Sequence, residues 1–133
     1  MKVSAHRRRR VLLYLAVMIC ALAAPAIPSQ AQSRRYEQAR DLVSRVQQDL
    51  RHAADFIQRS KDKDGRERFE NAQKHLSEFD RALSKGKFDK DKLDEAIDDL
   101  KNVVEHNTLA GEDRDALTQD VRDLRQLRSD RGR

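Results

Sequence analysis

The feature that most constrains this chain is one unbroken apolar stripe. Tyr36, Ala39, Val43, Val46, Leu50, Ala53 and Ile57 follow one another at spacings of three, four, three, four, three and four. That spacing holds one face of an α-helix and is incompatible with the period-two alternation of a half-buried strand. It predicts a first helix from about Arg34 to Ser60. Leu42, Ala54 and Phe56 flank the stripe and widen it, as expected of a helix that touches more than one neighbour.

Three shorter stripes follow. Phe69, Ala72, Leu76, Phe79 and Leu83 form the second, and Leu93, Ile97, Leu100 and Val104 the third, with Ala96 and Val103 beside it. Leu117, Val121, Leu124 and Leu127 form the fourth. Gly65, Gly86 and Gly111 fall between the stripes and mark the connections. Asp64, with Glu67 three residues on, is the expected cap of the second helix, and Asp89, with Phe88 and Leu93 as a hydrophobic staple, that of the third. Short connections between amphipathic helices favour antiparallel neighbours. The expected fold is therefore all-α, a small antiparallel four-helix bundle, with a three-helix core carrying one loosely docked helix as the alternative.

Ahead of the stripes lies a segment of different character. Lys2 and the run Arg7 to Arg10 precede fourteen apolar residues, Val11 to Ala24, then Pro25, Pro28 and the small-residue exit Ser29, Gln30, Ala31. A basic start, a short apolar middle and small residues at the end describe a secretory signal peptide. Fourteen helical residues rise about 21 Å, short of a hydrocarbon core of roughly 30 Å, which argues against a permanent anchor. Residues 1–31 are read as a cleaved export segment, with Gln32 the first mature residue and 32–133 a single helical domain with a polar, arginine-rich C-terminal end. The expected location is periplasmic or extracellular.

Removing residues 1–31 changes the charge argument. Five of the 28 Lys and Arg residues lie there and none of the 23 acids, which leaves 23 of each sign in the mature chain. The formal charge of +5 belongs to the export segment and is no sign of nucleic-acid binding. The lone Cys20, both methionines and both prolines leave with it, so no disulfide, thiolate or thioether remains to hold a metal or haem.

Candidate metal ligands are confined to two helices. Asp49, His52 and Asp55 share a face of the first, and His75 lies one turn from Glu78 on the second. A di-iron bundle would need Glu-x-x-His pairs, which the chain lacks. The segment Ser60 to Gly65 resembles a calcium loop only in Asp62, Asp64 and Gly65. Ser60, Glu67 and Asn71 stand where such a loop needs other residues, so a capped turn is expected. Asp94, Glu95, Asp98 and Asp99 read as a solvated helix face. Arg122, Arg125, Arg128 and Arg131 recur every three residues and so precess around a helix. Leu117 and Thr118 open like the Leu-Thr-x-x-Gln signature of small periplasmic helical stress chaperones, but Val121 stands where the glutamine belongs, and nothing is carried over.

No nucleophile motif or phosphate loop is present, so no enzymatic activity and no cofactor is expected. The leading expectation is a secreted or periplasmic helical protein that works through protein–protein contacts, as adaptor, chaperone-like or structural protein, with an unknown protein partner or a second copy of itself. One alternative is a metal or small-ligand carrier. Another is a peripheral binder of an anionic surface through the C-terminal arginines.

Overall fold

The computed structural model of the chain describes residues 27–131. Four helices account for nearly all of them: α1 Ile27–Gln58, α2 Lys63–Ser84, α3 Lys90–His106 and α4 Gly111–Arg131. The chain divides at the Ala31–Gln32 bond, and the second unit, Gln32–Arg133, holds the bundle. The expected export segment lies outside the described residues up to position 26. Residues 27–31 form the start of α1, which therefore begins seven residues before the expected Arg34. Pro28 does not oppose this, because a proline in the first helical turn removes only an amide that has no intrahelical acceptor.

Side-chain pairs give the arrangement. Arg40 meets Asp80 and Gln47 meets Ser77 between α1 and α2. Glu78 meets Lys92, and His75 meets Asp99, between α2 and α3. Arg128 meets Asp94 between α3 and α4. Arg45 meets Asp120 and Asp123, and His52 meets Asp113, between α4 and α1. Arg114 also meets the Val104 carbonyl between α3 and α4, so in each set the numbers rise on one helix as they fall on the other. Every neighbour is antiparallel and the ring closes, so the fold is the up-down-up-down four-helix bundle.

The stripes fill the interior. Val43, Val46 and Leu50 of α1, Leu76 and Phe79 of α2, Leu93 and Leu100 of α3 and Leu117 and Leu124 of α4 are fully buried. Leu42 and Ala54 pack on this core as expected, but Phe56 does not: it is 62% exposed. The row Arg45, Asp49, His52, Phe56 faces α4, and His52 already meets Asp113 in that helix's first turn. Phe56 lies one turn further on, past the point where α4 begins. Tyr36, at the opposite end, is half-buried, with the Arg131 guanidinium stacked over its ring at 4.7 Å.

The connections follow local chemistry. Gly86 takes φ +72°, with its amide bonded to Leu83 O and that of Lys87 to Ala82 O, the paired bonds of a Schellman C-cap. Asp89 caps α3 through the Lys92 amide, as expected. The cap of α2 is Asp62 and not Asp64. Its carboxylate accepts from the Gly65 amide at 2.9 Å, which places Asp64 inside the first turn, where an acid favours the positive end of the helix dipole. The segment resembling a calcium loop is thus a capped turn.

Gly65 is consequently helical and buried, and the reason is close approach. A Cβ there would lie 2.4 Å from Asp62 Oδ2 and 2.9 Å from Asn107 Nδ2. Asn107, 4% exposed, joins the two helix ends: Nδ2 donates to Gly65 O at 3.2 Å and Oδ1 accepts from Arg68 at 3.2 Å. Arg114 donates to the Asn107 carbonyl at 3.1 Å, satisfying the C-terminus of α3. Asn107→Ala removes the cross-helix hydrogen bonds to the Gly65 carbonyl and from Arg68, and the expected loss is about 0.5–1.5 kcal/mol for a typical hydrogen bond in chemical denaturation. An unchanged midpoint would mean that water replaces the amide at no cost.

Candidate functional site

The residues singled out as possible ligands fare differently on the two helices. On α1, His52 is exposed and its Nδ1 lies 2.7 Å from Asp113 Oδ1. That hydrogen bond, helped by the charges of Asp113, Asp55 and Asp49, raises the His52 pKa. Asp49 lies close enough to the buried Asp120 to raise its pKa, and Asp49, His52 and Asp55 do not converge on a common point among the described residues.

On α2, His75 and Glu78 do converge, and with partners that the sequence placed on a separate acidic face. They lie three residues apart, so both side chains project from one side of α2. Lys92, Glu95 and Asp99 stand at spacings of three and four on α3, which makes the facing row. The antiparallel register brings these rows together. Ligand-type atoms of His75, Glu78 and Glu95 all lie within 4.8 Å of one another. His75 Nδ1 is bonded to an Asp99 carboxylate oxygen, and Nε2 lies 3.7 Å from Glu95 Oε2.

A cation of the chain itself sits against this group. Lys92 Nζ donates to Glu78 at 2.9 Å and to Glu95 at 3.3 Å. The Lys92 hydrogen bond holds the Glu78 carboxyl below its usual range, and Glu78 and then Glu95 raise the lysine. The site is half-open: the side chains of His75, Asp99 and Glu78 retain about a quarter of their exposure, and Glu95 nearly half. Its chemistry is that of a compact anionic pocket with one imidazole nitrogen and two carboxylates available to a cation.

A second polar group lies in the core and escaped the reading of the stripes. Asp120 is 1% exposed. One carboxylate oxygen accepts from Arg45 at 3.3 Å, and the other has no hydrogen-bond partner. Burial pushes this carboxyl up to about 6, with the Asp49 charge adding to the effect and Arg45 opposing it. Asp41 stands one turn before Arg45 on α1 and could pair with it locally. The guanidinium instead reaches across to Asp120 and Asp123, where it faces a desolvated charge. The signal was available: Asp120 stands three residues after Leu117 and four before Leu124, a core slot of the fourth stripe.

The C-terminal arginines are divided. Arg128 pairs with Asp94, and Arg131 stacks over Tyr36 and Phe88, while Arg122 and Arg125 are exposed. The acidic face on α3 is correspondingly occupied, with Asp94, Glu95 and Asp99 all in cross-helix pairs. No helix among the described residues is long and apolar enough to cross a membrane. No known protein family, no curated protein and no solved structure matches the chain.

Proposed function

We propose that the protein is exported and acts through protein–protein contacts, with the surface around Phe56 as its contact point. The observation that carries this reading is the exposure of Phe56 in a bundle whose other large apolar side chains are buried or half-buried among the described residues. A phenylalanine 62% exposed leaves most of its ring in water, which burial under a partner would relieve by about 25 cal/mol for each Å² covered. Aromatic anchors of this kind carry much of the energy of protein interfaces. The export part rests on the basic, apolar and small-residue order of residues 1–31.

Two measurements test it together. The intact mass of the chain recovered outside the cytoplasm should correspond to a start at Gln32. Chemical crosslinking in the intact cell should yield a heavier adduct that Phe56→Ser reduces severalfold without changing helicity or melting temperature. Recovery of the full-length chain from the cytoplasm would overturn the export reading. An adduct indifferent to Phe56→Ser would move the contact elsewhere.

A further inference from the structure

The geometry points to a binding site for a single divalent transition-metal ion between α2 and α3, with His75, Glu78 and Glu95 as ligands and Lys92 as a built-in competitor. Three observations combine. The donor set is one imidazole and two carboxylates whose ligand-type atoms are grouped within 4.8 Å. Around zinc such atoms stand roughly 3.3 Å apart, given metal–ligand distances of about 2.0–2.2 Å, so closing the site requires side-chain rotations of about an ångström. Glu78 and Glu95 lie at a half-open surface where those rotations are free of core packing.

The histidine is already oriented for the purpose. A carboxylate only accepts, so Asp99 fixes the proton on Nδ1, and whenever the ring is neutral the lone pair is on Nε2, the nitrogen that faces Glu95. A carboxylate behind a histidine in this way fixes its tautomer and raises its basicity toward a metal. The third observation is Lys92, whose ammonium bridges Glu78 and Glu95. The space between these carboxylates therefore holds a positive charge in the absence of metal, and an incoming ion replaces one cation by another of higher charge. Three protein ligands leave a coordination position for water. Nitrogen among the ligands selects zinc, cobalt or nickel over magnesium and calcium, which take oxygen ligands.

This site is separate from the Phe56 surface, and its test does not depend on that reading. Zinc ions titrated into the purified protein, followed calorimetrically, should bind with one-to-one stoichiometry, and magnesium should not compete. His75→Ala and Glu95→Gln should each weaken binding at least tenfold. Asp99→Asn, which removes only the support behind the imidazole, should weaken it about 10–100-fold. Lys92→Met should tighten it severalfold, a gain that misfolding cannot imitate. His52→Ala serves as the control and should leave binding unchanged. No heat of binding, binding that survives His75→Ala, a Lys92→Met protein that binds no tighter, or a loss on His52→Ala equal to that on His75→Ala would each overturn the assignment.

Discussion

Truncating Phe79 to alanine is expected to remove about 3–5 kcal/mol of stability, while the same change at Phe56 should alter it by less than about 0.5 kcal/mol. Phe79 is fully buried, and its ring meets that of Phe88 edge-on with centroids 5.5 Å apart. Its removal forfeits the transfer energy of the ring, the aromatic contact and the packing around the resulting void. The core side chains around a fully buried ring cannot all collapse into that space without leaving their own rotamers. A domain of this size has about 5–15 kcal/mol in total, and 1 kcal/mol shifts its melting temperature by about 4–8 °C. Far-ultraviolet circular dichroism should therefore show the Phe79→Ala protein melting at least about 12 °C lower, with Phe56→Ala close to the parent. Equal effects at the two positions would contradict the assignment of which ring is core.

The second large effect concerns Asp120 and reverses the usual expectation for an ion pair. Burial raises its folded-state pKa from 3.8 to about 6, so the folded protein holds a proton that the unfolded chain releases. Between those two values the folded state binds more protons, and stability falls as pH rises. Above about pH 6 the full cost is present, on the order of 2–3 kcal/mol. His52 acts in the same direction. Its pKa is raised by Asp113, so the stability it adds is present below its unfolded value and lost as pH rises through the folded one. Glu78, Asp89 and Asp123 act oppositely. Their pKa values are lowered, chiefly by hydrogen bonds from Lys92, the Lys92 amide and Gln119 respectively, and their contribution disappears as pH falls through the folded-state values. Stability should thus peak near about pH 4–4.5, where the lowered carboxyls are already ionised and most of the Asp120 cost has not yet appeared.

Asp120→Asn isolates the buried group. Asparagine keeps an acceptor for Arg45 and places an amide donor where the orphaned oxygen lies, close to Asp49. Denaturant unfolding at pH 7.5 should show a gain of about 1–2 kcal/mol, and the fall in stability between about pH 4 and 6 should flatten. A variant that loses stability at pH 7.5 and keeps the parental slope would mean that the Arg45–Asp120 pair stabilises the fold on balance.

What the sequence revealed depended on whether the determinant was local. The stripes sufficed for four helices because helical periodicity is a property of each segment by itself, and the Asp89 cap was legible for the same reason. Antiparallel packing followed from connections too short for anything else. The α2 cap was misplaced by two residues because Asp62 and Asp64 offer the same carboxylate, and the glycine at position 65 is required by the close approach of both the Asp62 carboxylate and the Asn107 amide at the end of α3. His75 and Glu78 could be paired from their spacing. Their meeting with Glu95 and Asp99 depends on the register of α2 against α3, which no single segment encodes. Phe56 was misassigned by the same limit: its stripe is regular, but the helix that would cover it starts one turn too late.

The account rests most heavily on Phe56 as the point of contact, and site-specific photocrosslinking in the intact cell tests that directly. A photoreactive residue at position 56 should give a discrete adduct, either with one partner or with a second copy, while the same residue at the exposed Asp98 on α3 gives none. Monomer alone at position 56, or identical adducts from both positions, would contradict it.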